Sequence, residues 1–366
     1  MKLKENVHVF VITGCLFLLL YIFLAASPLG KELALTPQWT ISITDRQVAI
    51  KEGENTENLL PFKLAQNMGY FTPQGKIALL ESFPFKATIS SEYRAAYSPD
   101  ATNTPFYTAT QKSGTATAQD SSVATIEGSG FPFFVEDRIY LFPPGGFGLS
   151  QHNPDGSQRW EFKNYVPIIS FSSSQAGAAA GFADGTIVVF TPEGEIRQIF
   201  EPGGSTYPII LGSALSNSGT QLACVSGIDR QRFVLTQEKN GFSRVVFHTY
   251  LDSDQREPVL VQFSHDEKKV FYSSSSGLGV VNCQTMENTI IPLEGKILSI
   301  QELPKIDTTC ILTKSDGSYS VYFVEDFDNL IGNFSFEADS AFILTDNDLL
   351  FIGKNNKISC IKMELK

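Results

Sequence analysis

The stretch from Ala176 to Phe200, AGAAAGFADGTIVVFTPEGEIRQIF, constrains the fold more than any other part of the chain. It holds three short segments separated by two turn signals, Asp184-Gly185 and Glu193-Gly194. The first segment has small residues, the second is β-branched and aromatic, and the third mixes polar and apolar residues as a half-exposed strand does. Asp-Gly favours a type I′ hairpin turn, in which both central residues have positive φ. The pattern predicts three antiparallel strands joined by tight turns.

The preceding run Pro167–Ser172 (PIISFS) adds a fourth strand to this unit. Four antiparallel strands in about 40 residues is the size of one blade of a β-propeller. At the C-terminus, residues 341–345, 349–353 and 357–363 form a similar unit that lacks a fourth strand. We expect Trp39–Thr44 (WTISIT) to supply it, because pairing the first strand with the last blade removes the exposed sheet edges.

The recurrence of strand and turn predicts seven blades over residues 39–366, or about 47 residues a blade, with eight or six as alternative counts. The first blade is expected to begin near Leu64 and to include Lys76–Leu80 and Ala87–Ser90, with an outer strand over Pro105–Thr110. Each later blade follows the same pattern. The predicted fold is therefore all-β, a seven-bladed propeller closed by its N-terminal strand.

An apolar segment precedes the propeller. Residues 9–26 are eighteen residues without a charge, and Lys2 and Lys4 lie before them. A membrane span needs about 17–25 apolar residues, and basic residues favour the cytoplasmic side. We therefore expect a cytoplasmic region over 1–8, a transmembrane signal anchor over 9–26, a tether over 27–38 and a propeller over 39–366. This arrangement predicts an inner-membrane anchor with the propeller exported to the periplasm, and it leaves open whether the anchor is cleaved.

Composition excludes some classes of function. The net charge of −11 argues against a nucleic-acid partner, because phosphate binding needs clustered Lys and Arg. The five cysteines are far apart and form no CxxC pair, so no zinc site is expected. Buried free thiols are the simplest interpretation, and a disulfide stays open in an oxidising compartment. The four cysteines concerned are Cys224, Cys283, Cys310 and Cys360.

Two stretches resemble repeats of the PQQ-like propeller family. Arg138–Phe162 contains the turn Asp155-Gly156 followed by Trp160, and Gly181–Phe200 contains an Asp-Gly and a Glu-Gly turn. Asn217–Val225 and Ser264–Tyr272 are similar to WD40 or TolB-type repeats, in which a polar turn precedes a strand. The resemblance implies a propeller fold. Exported members of this kind include the propeller lipoprotein of the outer-membrane assembly machine, which implies a scaffold role.

Catalytic and cofactor chemistry find little support in the sequence. A quinone would need tryptophans to stack on, and Trp39 and Trp160 are the only two, so no cofactor is expected. The histidines have no partner at a metal-ligand spacing, and no nucleophile elbow or phosphate loop is present. We therefore expect no metal site and no catalytic residue. The alternatives are a hydrolase or lyase with acidic groups at the channel mouth, and a sensor of a small ligand or glycan there.

The turns that join the second and third strands of each blade are expected to share one face of the ring, where loops on a rigid scaffold can bind a partner. Exposed aromatic residues and arginines often anchor protein interfaces, so Phe147, Arg230 and Arg232 are the leading candidates. Asp184, Lys314 and Lys354 lie in equivalent turns. We expect a protein partner at this face, and the oligomeric state stays open. The turns are 143–148, 183–185, 227–232, 273–277, 314–318 and 353–357.

Overall fold

The computed structural model describes residues 11–21, 32–44, 58–109, 123–252 and 255–365. In these residues the chain forms eight antiparallel sheets, and the protein is an all-β, eight-bladed propeller. The blades are numbered in chain order. The strand β1 (Leu33–Ser42) joins the last blade, and blade 1 contains β2 (Leu60–Leu64), β3 (Asn67–Phe71) and β4 (Ile77–Ser82).

Blades 2 to 4 have four strands each. Blade 2 contains β5 (Lys86–Ile89), β6 (Tyr93–Tyr97), β7 (Asn103–Thr108) and β8 (Ala124–Glu127). Blade 3 contains β9 (Phe131–Val135), β10 (Arg138–Phe142), β11 (Gly148–His152) and β12 (Gln158–Lys163), with a short 3₁₀ turn at Pro144–Gly146. Blade 4 contains β13 (Ile168–Ser174), β14 (Gly177–Phe182), β15 (Ile187–Phe190) and β16 (Ile196–Phe200).

Blades 5 to 8 complete the ring, and blade 7 carries a second 3₁₀ turn at Pro304–Ile306. Blade 5 contains β17 (Ile210–Leu215), β18 (Gln221–Ser226), β19 (Arg232–Lys239) and β20 (Phe242–Tyr250). Blade 6 contains β21 (Val261–Phe263), β22 (Lys269–Ser274), β23 (Gly277–Asn282) and β24 (Asn288–Pro292). Blade 7 contains β25 (Lys296–Leu303), β26 (Thr308–Ser315), β27 (Ser318–Glu325) and β28 (Asn329–Glu337). Blade 8 contains β29 (Ala341–Asp346), β30 (Leu349–Lys354), β31 (Lys357–Leu365) and β1.

The N-terminal strand closes the ring, as the sequence predicts. β1 pairs antiparallel with β31, from Leu33 opposite Leu365 to Ser42 opposite Lys357. The strand begins at Leu33 and not at Trp39, so residues 33–38 of the predicted tether belong to it. Because β1 and β31 lie far apart in sequence, this pairing holds the two ends of the described propeller together.

The predicted count of seven blades is wrong. Ala87–Ser90 is not the third strand of the first blade, because β5 (Lys86–Ile89) is the first strand of blade 2. The segment Pro105–Thr110 likewise overlaps β7, the third strand of blade 2. The predicted first blade therefore combined blades 1 and 2. Eight blades bring the mean length to about 41 residues, which is closer to the usual repeat of about 40–45.

The three described strands of blade 1 are its second, third and fourth. The β2–β3 turn lies beside the connector that enters blade 8, where the Ala65 amide donates a hydrogen bond to Ser340 Oγ over 3.1 Å. The same turn accepts a hydrogen bond at the Gln66 carbonyl from the Phe83 amide, 3.0 Å away, where the chain crosses to blade 2. Residues 45–57, which precede β2 in the sequence, lie outside the described residues.

The core is divided into eight apolar clusters, one between each pair of neighbouring blades. β14 and β15 are buried along their full length, whereas β16 at the outer edge is mostly exposed. Small residues in β14 allow the next blade to approach closely. A Cβ on Gly181 would collide with the side chain of Ile210, which is the first residue of β17. This packing makes each blade depend on its neighbours.

The Asp184-Gly185 turn has a different geometry from the type I′ turn that the sequence predicts. Gly185 has a φ of +88°, but Asp184 is not among the residues with positive φ. The Gly185 amide donates to the Phe182 carbonyl, and the Phe182 amide donates to the Thr186 carbonyl. These bonds form a three-residue loop, a type I turn followed by a left-handed glycine. The Glu193-Gly194 turn repeats this pattern.

The predicted transmembrane helix over residues 9–26 requires a correction. Its described part, residues 11–21, is an α-helix with exposed side chains. Among the residues that the structure describes, no helix has both the length and the apolar character needed to cross a membrane. The predicted cytoplasmic region over 1–8 and residues 27–31 of the predicted tether lie outside the described residues. The predicted cellular compartment stays a prediction.

Candidate functional site

We call one side of the ring the upper face. It contains the turns that join the second and third strands of each blade, together with the connectors that lead from one blade to the next. The Asn164 amide, in the connector that leaves blade 3, donates to the Phe147 carbonyl over 2.9 Å. In blade 6, Ser275 Oγ donates to the Asp252 carbonyl over 2.9 Å. The opposite side, which contains all the other turns, is the lower face.

Phe147 and Arg230 are exposed on the upper face, as the sequence predicts. Phe147 follows the 3₁₀ turn of blade 3, and 47% of its surface is exposed. The guanidinium carbon of Arg230 lies 5.3 Å from the ring centroid of Tyr250, at the end of β20. This cation–π contact holds both side chains at the surface. The pair is available to a partner.

Arg232 has a structural role. Its guanidinium group donates a hydrogen bond to the Pro202 carbonyl and covers Gly204, so it fixes the connector between blades 4 and 5. Asp184 stabilises its own turn, because its Oδ1 accepts a hydrogen bond from the Thr186 amide over 3.0 Å. These two side chains shape the upper face through contacts within the chain.

Lys314 and Lys354 belong to a row of stacked side chains that joins blades 7 and 8. Lys314 Nζ lies 5.0 Å from the ring centroid of Tyr319, and Lys354 Nζ lies 5.4 Å from that of Phe336. The two rings are stacked on each other, with centroids 6.0 Å apart and planes 12° apart. Each lysine therefore covers one end of an aromatic pair. The sequence predicts two separate lysines, and the structure places them at one inter-blade contact.

Exposed aromatic side chains are concentrated on the upper face. Tyr165 and Tyr207 lie in connectors and are 98% and 65% exposed. On the lower face of the described propeller, the exposed large aromatic side chain is Phe242. The connector residues were not among the predicted candidates, because those were drawn only from turns within blades. The upper-face set is Phe85, Phe131, Phe147, Tyr165, Tyr207 and Tyr250.

Asp229 holds the connector that carries Tyr207. Its carboxylate accepts hydrogen bonds from Ser205 Oγ and from the amides of Thr206 and Tyr207. These bonds, led by the one from Ser205, hold the pKa of Asp229 far below its usual range. Tyr207 is therefore presented on an ordered loop. The sequence shows an Asp in the turn between β18 and β19 and a Gly-Gly-Ser-Thr run in the connector between blades 4 and 5. Spacing alone could not pair these two segments.

A cleft of about 570 Å³ opens on the upper face between blades 5, 6 and 7. Its wall is partly apolar, with Val259, Leu260 and Ile297. At its rim Lys296 Nζ lies 2.6 Å from Glu257 Oε2, and this contact lowers the pKa of Glu257. The volume falls in the range of about 300–1,000 Å³ that is typical of ligand pockets. The cleft could hold a small molecule or a protruding side chain of a partner.

The acidic groups that come closest to a catalytic arrangement lie on the lower face. The pKa of Asp326 is raised, first by a hydrogen bond with Asp307 and then by burial. Burial also raises the pKa of Glu302, in a cleft of about 130 Å³ that Asp307 helps to line. This volume is below the range of typical ligand pockets. Across the described residues, no group of His, Cys, Asp and Glu side chains could hold a metal ion.

Comparison with known proteins gives the family. A family model described as a beta-propeller protein matches residues 1–365. The chain belongs to this β-propeller family. A relative from Treponema pallidum (strain Nichols), an uncharacterized protein, is 31% identical over 360 residues, which cover 96% of this chain and 93% of the relative. The prediction that the chain belongs to a β-propeller repeat family is confirmed. The assignment to the PQQ-like family stays a prediction.

Solved structures support the same fold. BamB from Moraxella catarrhalis superposes with a TM-score of 0.58 at 13% identity, and the match covers 90% of this chain and all of that chain. The WD40 domain of coronin from Toxoplasma gondii superposes with a TM-score of 0.54 at 11% identity, covering 93% of this chain and 88% of that chain. At these identities the likeness concerns the fold alone.

Proposed function

We propose that this propeller is a non-catalytic scaffold that binds a protein partner through its upper face. The observation that carries the proposal is the concentration of exposed aromatic side chains there, with Tyr165 and Tyr207 on connectors. Tyrosine and arginine dominate the binding energy of many protein interfaces. Arg230 and Tyr250 supply such a pair beside these connectors. The ordered loop held by Asp229 reduces the entropy lost when a partner binds.

Site-specific photo-crosslinking in the native cell tests this proposal. A photoreactive amino acid is placed at Tyr165, at Tyr207 and, as the lower-face control, at Phe242. All three positions are exposed, so they differ mainly in the face on which they lie. We expect one partner to be captured from both tyrosine positions and not from Phe242. The change Arg230→Glu should abolish this capture, and equal capture from both faces would contradict the proposal.

A second candidate is a sensor of a small ligand, favoured by the upper-face cleft of about 570 Å³. In this alternative the ligand contacts Leu260 and Ile297 and displaces or joins the Lys296–Glu257 pair. A thermal-shift screen of envelope metabolites and glycans against the wild type and Ile297→Asp tests it. A ligand that raises the melting temperature of the wild type alone would favour the sensor, and no shift with any compound would reject it.

A further inference from the structure

A second large cleft, of about 600 Å³, lies on the lower face. Blades 2, 3 and 4 all contribute to it through the turns between their first and second strands. We call it the lower cleft and define it by the residues that line it. These are Ser91, Glu92, Glu136, Asp137, Arg138, Tyr140, Gln151, Arg159, Ser174, Gln175, Gly177 and Pro192.

Acidic side chains outnumber basic side chains around the lower cleft. Arg138 is held by two of the carboxylates, at 2.5 Å from Glu136 and 3.8 Å from Asp137. Arg159 lies 3.6 Å from Glu193, just outside the cleft. Glu92 is exposed at the rim and has no ion pair with any other described residue. Three carboxylates and two guanidinium groups thus line the cleft, and with Glu193 beside it the cleft carries excess negative charge, as does the whole chain.

The wall of the lower cleft also contains a hydroxyl group without a protein partner. Ser174, at the end of β13, is only 3% exposed, and its Oγ makes no hydrogen bond within the described part of the chain. Leaving a buried hydroxyl unsatisfied costs about 1–3 kcal/mol, so such groups usually meet a ligand or water. Ser174 is one of the residues that line the cleft.

We propose that the lower cleft binds a ligand bearing an alkylammonium group. The ammonium group donates to Ser174 Oγ and lies in the negative field of Glu92 and Asp137, while the alkyl chain follows the wall beside Pro192. An ammonium group has donors only, which suits the carboxylates of the cleft and the lone pairs of Ser174 Oγ. Arg138 Nε also makes no hydrogen bond to any described residue, and it lies 3.8 Å from Asp137 Oδ1. The group could belong to a lysine side chain of a peptide or to a free polyamine. The proposal concerns a different face and does not depend on the function proposed above.

Isothermal titration calorimetry of the full-length protein tests the proposal with three probes. These are spermidine, the peptide acetyl-Gly-Lys-Gly-amide and glutarate as the anionic control. We expect saturable binding of at least one cation and no binding of glutarate. Binding of the peptide alone would identify a protein lysine as the source, and binding of spermidine alone would identify a polyamine. The affinity should fall with added salt, because the attraction is electrostatic.

Matched variants locate the site. Glu92→Gln and Ser174→Ala should each weaken binding about tenfold, the effect of losing about 1.4 kcal/mol. Glu195→Gln removes an equal charge from the same face outside the cleft, and it should change the affinity less than twofold. Ser174→Ala should leave the melting temperature unchanged or higher, since the hydroxyl has no protein partner. The proposal is overturned if neither cation binds or if Glu195→Gln weakens binding as much as Glu92→Gln does.

Discussion

Arg94 and Glu81 form a buried ion pair between blades 1 and 2, with distances of 3.1 Å from Nε to Oε2 and 2.8 Å from Nη2 to Oε1. The Arg94 side chain is fully buried, and it also donates to the Thr108 carbonyl and lies over the ring of Tyr107. The apolar cluster at this blade junction is small, with three buried members. A charged, hydrogen-bonded contact thus takes the place of apolar packing at one junction of the ring.

Replacing Glu81 should strongly destabilise the fold. Glu81→Gln leaves the Arg94 guanidinium buried without its carboxylate, and breaking a buried pair in this way costs about 3–5 kcal/mol. Urea unfolding measures the loss of free energy of unfolding. The matched control is Glu238→Gln, because Glu238 pairs with Arg197 over 2.6 Å at a more exposed site. That variant should lose about 1 kcal/mol or less, and equal losses in the two variants would contradict the expectation.

Gly194→Ala should destabilise the contact between blades 3 and 4. Gly194 has a φ of +86°, and a Cβ at this position would collide with the indole of Trp160. The backbone strain costs about 1–2 kcal/mol, and the overpacking costs a further 1–3 kcal/mol or so. Gly241→Ala is the control, because Gly241 has a φ of +78° but no atom within 4 Å of a Cβ. A larger loss for Gly194 in urea unfolding, with a change in tryptophan fluorescence, is the expected result.

The blade count could have been obtained from the sequence, because Trp160 packs against a type of turn that recurs along the chain. Trp160 Nε1 donates to the Pro192 carbonyl over 3.3 Å, and Trp39 Nε1 donates to the Pro73 carbonyl over 3.1 Å. Each proline belongs to a Thr-Pro-x-Gly turn, at 72–75 and 191–194, and Asn-Pro-Asp-Gly at 153–156 is similar. The turns begin 81 and 38 residues apart, which corresponds to two blades and one blade of about 40 residues.

Other features could not be obtained from local patterns. The pairing of β1 with β31 was predictable because an incomplete last blade needs a fourth strand. By contrast, the Arg94–Glu81 pair joins residues of different blades, and nothing in the sequence around either residue identifies the other. The roles of Arg232 and Asp184 could not be predicted from the sequence either, because they depend on burial and on hydrogen bonds within turns and connectors. Residue type alone placed both among the candidate binding groups.

The four propeller cysteines should be inert towards thiol reagents in the folded protein. Cys224, Cys283, Cys310 and Cys360 are buried and free, whereas Cys15 is exposed. Burial raises the pKa of Cys224 and Cys283 to about 12, so little reactive thiolate forms at neutral pH. With Ellman's reagent we expect one reactive thiol in the native protein and five after unfolding in urea. Rapid reaction of more than one thiol at pH 8 would contradict this expectation.

Asp229→Asn should loosen the connector that carries Tyr207. The carboxylate of Asp229 accepts from the amides of Thr206 and Tyr207 over 3.1 and 3.4 Å, and an amide side chain is a weaker acceptor. Hydrogen exchange should therefore be faster at both amides in the variant, while amides of β18 should keep their rates.

The pH dependence of this connector has a definite sign. Because folding lowers the pKa of Asp229, its contribution to stability is fully present above the ordinary pKa of an aspartate, about 3.9. The contribution is lost as the pH falls towards the lowered value, when the carboxylate gains a proton and ceases to attract the amides. The difference in exchange between wild type and Asp229→Asn should thus be constant near neutral pH and should shrink only in strong acid. A difference that vanishes between pH 7 and pH 5 would show that another group holds the connector.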